Sequence, residues 1–322
     1  MKRWSLIFLL VGSLLISRTS SAAFFDPDLD WKTIKTEHFN IHFHEGEEEI
    51  AFKMAPIVEK VYHELSPQLE WKPWGRTEVV LTDHIDEANA LALIIPYNYV
   101  LLQVASPHGT SPLSNYDDWL EYLFRHEFTH ILHLDKYGGI TKPFRWIFGK
   151  TAAPNIFSPG WLKEGIAVFE ESKRGKGRNN GSFSEMMIRT DILNDQFLKI
   201  DQMSGLMIQW PSAYAAYIYG GEFWQYLVDQ YGEDKITEFI TRYGDSVWLT
   251  SLNNKARKTF QNKNFIKLWK EWRASLEKKY AKQKEELTKK GLTKLEAILH
   301  IDGNLQAPIL SPDGTKIGRA HV

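Results

Sequence analysis

The sequence predicts an α+β fold, with a small mixed sheet in its first part and a mainly helical remainder. Three observations carry this. Residues 38–44 alternate strictly between apolar and polar side chains, as a half-buried strand does. Residues 47–66 place Ile50, Met54, Ile57, Val58 and Val61 on one helical stripe. From about residue 117 to 290 the apolar residues recur at helical spacing, punctuated by glycine and proline. A sheet followed by a run of helices, rather than alternating with them, implies α+β architecture.

In the sheet region (about 24–110), His38 to His44 puts Phe39, Ile41 and Phe43 on one face. Asn40 and the three histidines lie on the other, where exposure on a strand accounts for them. Thr77–Thr82 reads as a second strand and Tyr99–Val104 as a third. In the helical region (about 115–290), helices are expected near 117–134, 161–172, 183–194, 212–231, 234–243 and 263–289. Gly160, Gly232, Gly244, Pro159 and Pro211 mark their ends. The last of these helices is rich in Lys and Glu and docks through Phe265, Trp269, Trp272 and Tyr280.

The chain has 322 residues, of which 43% are hydrophobic and 13% aromatic, enough to build a substantial core. Its formal net charge is −1 with no dense basic face, which argues against nucleic acid as a partner. Lys2 and Arg3, the apolar run Trp4–Ile16 and the small residues Ser21-Ala22-Ala23 describe a secretory signal peptide over residues 1–23. A retained membrane anchor is the alternative. Cleavage after Ala23 would remove Lys2, Arg3 and Arg18, shifting the formal charge from −1 to −4 and leaving no membrane span. There is no cysteine, so disulfides and lipid attachment through an N-terminal Cys are excluded. A periplasmic or secreted protein held by its core fits these constraints.

The chemistry centres on His126-Glu127-Phe128-Thr129-His130, an HExxH motif on a predicted helix. At about 3.6 residues per turn, His126 and His130 share one face and can hold one Zn²⁺ through neutral imidazoles. Glu127 lies about 100° round the helix, placed to reach a water without ligating. Without cysteine the ligands must be nitrogen and oxygen, and a catalytic site needs a third ligand beside an open position.

Downstream, Trp161-Leu162-Lys163-Glu164-Gly165-Ile166-Ala167 opens a second helix after Pro159-Gly160. Here the sequence resembles the gluzincins, a clan of thermolysin-like zinc metallopeptidases, and within it the bacterial "peptidase MA-like" domains. The resemblance covers about residues 117–230. It implies that Glu164 is the third zinc ligand. Tyr217-Ile218-Tyr219-Gly220 looks like the Y-x-x-G segment of the clan's aminopeptidase branch, which implies that Tyr217 donates to the oxyanion. Packing of Tyr217 in the core is the competing reading, and Tyr214 and Tyr219 are its rivals. The resemblance also implies that Glu171, two turns beyond Glu164, bonds the far ring nitrogen of a ligand histidine. Glu170 is the competitor.

His133 lies near the ligand face, but Lys136 stands where a third zinc histidine is placed in the metzincin clan. His133 is expected beneath the site instead. The segment Tyr137–Ser158, with Phe144, Arg145, Trp146 and Lys150, is expected to form a rim. The strand at 99–104 corresponds to the edge strand that lines the cleft in gluzincins. No G-x-M-E-N segment occurs, which separates the chain from that aminopeptidase pattern.

Ser311-Pro312-Asp313-Gly314-Thr315-Lys316-Ile317 resembles the blade turn of WD40-like periplasmic propellers. One blade turn cannot bury a propeller's faces, so 291–322 is expected to be a linker and the start of a propeller in a longer protein, after a metallopeptidase domain at 24–290. The expected function is zinc-dependent hydrolysis of a peptide or protein substrate. The alternatives are a silent scaffold beside a propeller and a zinc hydrolase acting on a non-peptide bond.

Overall fold

The computed structural model describes residues 28–107, 118–175, 177–204, 211, 214–246, 248–293 and 309–318. The signal peptide expected at 1–23 and most of the linker after residue 293 lie outside the described residues. Among the described residues, no helix is long and apolar enough to cross a membrane.

Five strands form one mixed sheet: β1 (Trp31–Lys35), β2 (Phe39–His44), β3 (Thr77–Thr82), β4 (Asn89–Leu93) and β5 (Tyr99–Gln103). Their order is β1-β2-β3-β5-β4. The inner pairs β2–β3 and β3–β5 are parallel, and the outer pairs β1–β2 and β4–β5 are antiparallel. Alternation in β2 works as its sequence dictates, with Phe39, Ile41 and Phe43 buried. Helix α1 (Glu48–Gln68) crosses over between β2 and β3 and buries Met54, Val58, Val61 and Leu65.

The strand at 99–103 is not the edge: it is hydrogen-bonded to β3 on one side and β4 on the other. The edge next to the helical region is β4. Its sequence, Asn-Ala-Leu-Ala-Leu, has little intrinsic strand preference, and Leu91 and Leu93 stay exposed.

The helices that follow are α2 (Trp119–Asp135), α3 (Lys142–Phe148), α4 (Gly160–Ser172), α5 (Ser182–Leu193) and α6 (Tyr214–Tyr231). After them come α7 (Asp234–Gly244), α8 (Leu252–Thr259) and α9 (Phe265–Lys290). Asp118 caps α2 by accepting from the Glu121 N–H. Phe124 and Phe128, one turn apart, stack on each other and meet Phe39 of the sheet edge-on at 5.5 and 5.3 Å. That contact anchors α2 to the sheet and turns His126 and His130 to its opposite side, against α4. An aromatic core of Phe223, Trp224, Phe239, Phe265, Trp269 and Trp272 joins α6, α7 and α9.

Helices α4 and α6 cross at two glycines, Gly165 of the WLKEG segment and Gly220 of the YIYG segment. A Cβ on Gly165 would lie 2.5 Å from the Gly220 carbonyl carbon and oxygen, backbone atoms that cannot step aside. Gly165→Ala should therefore lower stability by about 1–3 kcal/mol, the range for an overfilled core. Urea unfolding followed by circular dichroism would read this as a lower midpoint, and an unchanged midpoint would contradict the close crossing.

Residues 309–310 and 317–318 pair as a short antiparallel hairpin, closed by bonds from Ser311 N–H to Lys316 O (2.8 Å) and Gly314 N–H to Ser311 O (2.8 Å). The Asp313 carboxylate braces the turn by accepting from the Thr315 N–H and hydroxyl.

Candidate metal centre

Helices α2 and α4 bring His126, His130 and Glu164 together as a potential metal-ligand set. The two Nε2 atoms stand 3.2 Å apart, and Glu164 Oε2 is 3.3 Å from each. For a tetrahedral ion with bonds of about 2.0 Å, donor atoms are separated by about 3.3 Å, so the triangle has the size a zinc ion requires.

The hydrogen bonds orient the donors. Glu171 Oε2 lies 2.8 Å from His126 Nδ1. A proton held there on Nδ1 leaves the Nε2 lone pair facing His130 and Glu164. Two imidazole nitrogens at 3.2 Å in a buried site, with a carboxylate oxygen equidistant from both, are a poor arrangement without a cation and a good one around it. Both imidazoles are buried, while the Glu164 side chain is 22% exposed, so the cluster opens to solvent on that side. The donor set, two imidazoles and one carboxylate, suits Zn²⁺.

The electrostatics agree with the geometry. Burial opposes charge on Glu164, but His130 and His126 outweigh it and hold its carboxyl well below the usual range. Burial likewise lowers His126, yet Glu164 and Glu171 prevail and raise it to about 9. Below that value the metal-free site holds a proton that an incoming ion must displace. Zinc affinity should therefore fall by about tenfold per pH unit as pH drops below 9. Competition titrations against a coloured chelator at several pH values would show the slope, and a flat profile would contradict it.

Glu127 is buried beside these ligands. Burial raises its carboxyl above the ordinary value, the imidazoles of His126 and His130 oppose this, and Glu164 adds to it. Tyr217, on α6, stacks against the His126 ring with centroids 5.8 Å apart. Burial first, then the carboxylate of Glu164, keeps its phenol protonated far above neutral pH. Tyr214 is exposed. Tyr219 is buried in the core, where its hydroxyl donates to Asp191. Glu170 is also buried, but it accepts from Gln68 rather than from a histidine.

Arg178 was not singled out by the sequence. It sits in a single helical turn (Arg178–Asn180), with its guanidinium 4.9 Å from the Tyr217 ring centroid and its Nε 3.5 Å from Glu171. It thus braces both the phenol and the carboxylate behind His126. The local signal is a basic, glycine-rich stretch just past the Glu171 helix, and only the folded chain reveals its use.

Other residues fall outside the triangle. His133 is fully buried with neither ring nitrogen hydrogen-bonded among the described residues, and burial pushes it down to about 3, so it stays neutral. Arg145 and Lys150 do not form a rim. They turn inward to Asp135 at the end of α2, Lys150 at 3.0 Å, because a buried carboxylate there demands cations. Phe144 and Trp146 remain exposed. Of the histidines at 38–44, His38 pairs with Glu59 and His42 with Glu78, whereas His44 is buried rather than exposed.

No protein family model matches the chain. An uncharacterised protein of Treponema pallidum (strain Nichols) is 26% identical over 242 residues, covering 74% of this chain. The chain spans only 21% of that relative's length. Among solved structures, the chain is similar to native leukotriene A4 hydrolase from Saccharomyces cerevisiae, at 15% identity and TM-score 0.45, covering 72% of this chain and 36% of that one. It is also similar to an M1 zinc metallopeptidase from Deinococcus radiodurans, at 15% identity and TM-score 0.36, over 72% of this chain and 49% of that one.

Proposed function

We propose that this chain is an exported zinc-dependent peptidase that hydrolyses peptide bonds with Glu127 as general base. The observation that carries the reading is the near-equilateral triangle of His126, His130 and Glu164 donor atoms, with a buried carboxylate that is not part of it directly alongside. Zn²⁺ bound there supplies Lewis acidity, which acidifies water and polarises a carbonyl oxygen.

The chain's own residues do the rest. Glu127 takes the proton of the attacking water on its carboxylate and delivers it to the leaving amine. Its raised pKa suits both halves of that task. Tyr217 keeps its O–H and donates to the negative charge growing on the scissile carbonyl oxygen. Glu171 and Arg178 hold the His126 ring and the phenol in register. The outer edge of β4, which pairs only with β5 among the described residues, offers backbone N–H and C=O groups to an extended peptide. Export is proposed on the leader at residues 1–23.

The test is to incubate the zinc-loaded chain with a diverse peptide pool and identify products by mass spectrometry. Cleavage that a chelator stops and added Zn²⁺ restores supports the proposal. A fully loaded protein that cuts no peptide would overturn it in favour of a scaffold or a non-peptide hydrolase. Tyr217→Phe should retain zinc and lose about 10²–10³ in kcat, the usual cost of one oxyanion donor. An unchanged kcat would return Tyr217 to a packing role.

A further inference from the structure

We infer that the chain carries a second divalent-metal site, formed by His44, Asp83 and His84 at the C-terminal ends of β2 and β3, with the buried carboxylate of Glu47 beside His44. It lies outside the HExxH centre and draws on none of its residues.

His44 ends β2, Glu47 directly precedes α1, and Asp83 and His84 follow β3. His44 Nδ1 lies 2.9 Å from the Glu45 carbonyl oxygen. A carbonyl can only accept, so Nδ1 carries the ring proton and Nε2 presents its lone pair. Around that lone pair stand Asp83 Oδ1 at 3.0 Å and Glu47 Oε1 at 3.3 Å. His84 completes the set: His44, Asp83 and His84 each offer a ligand atom, all within 4.8 Å of one another. The His44–Asp83 spacing of 3.0 Å approaches the roughly 3.3 Å between donors around a tetrahedral zinc ion, and His84 stands within 4.8 Å of both.

The independent observation is Glu47. Its side chain is only 4% exposed. One oxygen accepts the His44 backbone N–H at 3.1 Å, but Oε1 accepts no hydrogen bond among the described residues and faces His44 Nε2. A buried carboxylate oxygen with no donor is costly. Protonating His44 answers this poorly, because its one Nε2–H is shared with the nearer Asp83 and leaves Glu47 Oε1 the weaker part of the bond. A cation bound by His44, Asp83 and His84 would place positive charge next to the Glu47 oxygen as well.

Two imidazoles and one carboxylate, with a second carboxylate close behind His44, suit Zn²⁺. Asp83 is 61% and His84 32% exposed in the side chain, so an ion can enter from solvent. It would tie the start of α1 to the segment leading into the edge strand β4.

The experiment strips the full chain with chelator, reloads it in a Zn²⁺ buffer and measures bound metal by elemental analysis. Wild type is expected to hold two ions. The double variant Asp83→Ala/His84→Ala alters exposed side chains and should fold normally, as circular dichroism would verify, and hold one fewer. His126→Ala should lose the other ion and keep this one, so failure at either centre is read separately. Unchanged stoichiometry in Asp83→Ala/His84→Ala would overturn the site. Hydrogen exchange gives a second readout: Zn²⁺ should protect residues 83–88 in wild type and in His126→Ala, but not in the double variant.

Discussion

Glu127→Gln is expected to abolish peptide cleavage while leaving the zinc content of the HExxH centre intact. Glutamine matches glutamate in shape but cannot accept the water's proton, so the loss should be at least on the order of 10²–10⁴ in kcat, the range for removing a general base. Glu127 lies outside the donor triangle, so the ion should stay. Burial already disfavours the charged carboxylate, and a neutral amide removes that penalty. The variant should therefore melt no lower than wild type. Paired measurements of kcat, bound zinc and melting temperature check all three. Residual activity close to wild type would remove Glu127 from the chemistry, and loss of zinc would make it a ligand instead.

Glu164→Ala is expected to empty the HExxH centre. The carboxylate sits 3.3 Å from both Nε2 atoms, so its removal leaves two imidazoles to grip an ion that needs three protein donors. Changes to groups behind the ligands typically cost about 10–100-fold in affinity, and loss of a ligand itself should exceed that. Isothermal titration with Zn²⁺ would read the effect, compared with Glu171→Ala, which should fall within the smaller range. Equal affinities for Glu164→Ala and wild type would exclude Glu164 from coordination.

The parts of this molecule that could be read in advance are those set by local spacing. The β3 boundaries, Thr77 to Thr82, follow from a run of β-branched residues, and α4 follows from Pro159-Gly160 and an apolar stripe. The pairing of His126 and His130 on one face is simple helical geometry. Strand β1 and the edge strand β4 escaped because each is five residues long and partly exposed, held by neighbours rather than by its own pattern. The short helices α3 and α8 were missed for the same reason. Nothing in the spacing alone tied Glu164 to the histidines; a resemblance supplied that link. Arg178 and the Glu47–His44–Asp83 grouping depend on segments distant in sequence, which only the folded chain brings together.

The glycine crossing of α4 and α6 has a mechanical consequence. The acid at position 164 and the phenol at 217 hang from a shared fulcrum in which main chain rests directly on main chain. No side-chain rearrangement can slide one helix without the other, so these two groups travel as a rigid couple. Adjusting the site for a different substrate must then fall to groups outside that couple.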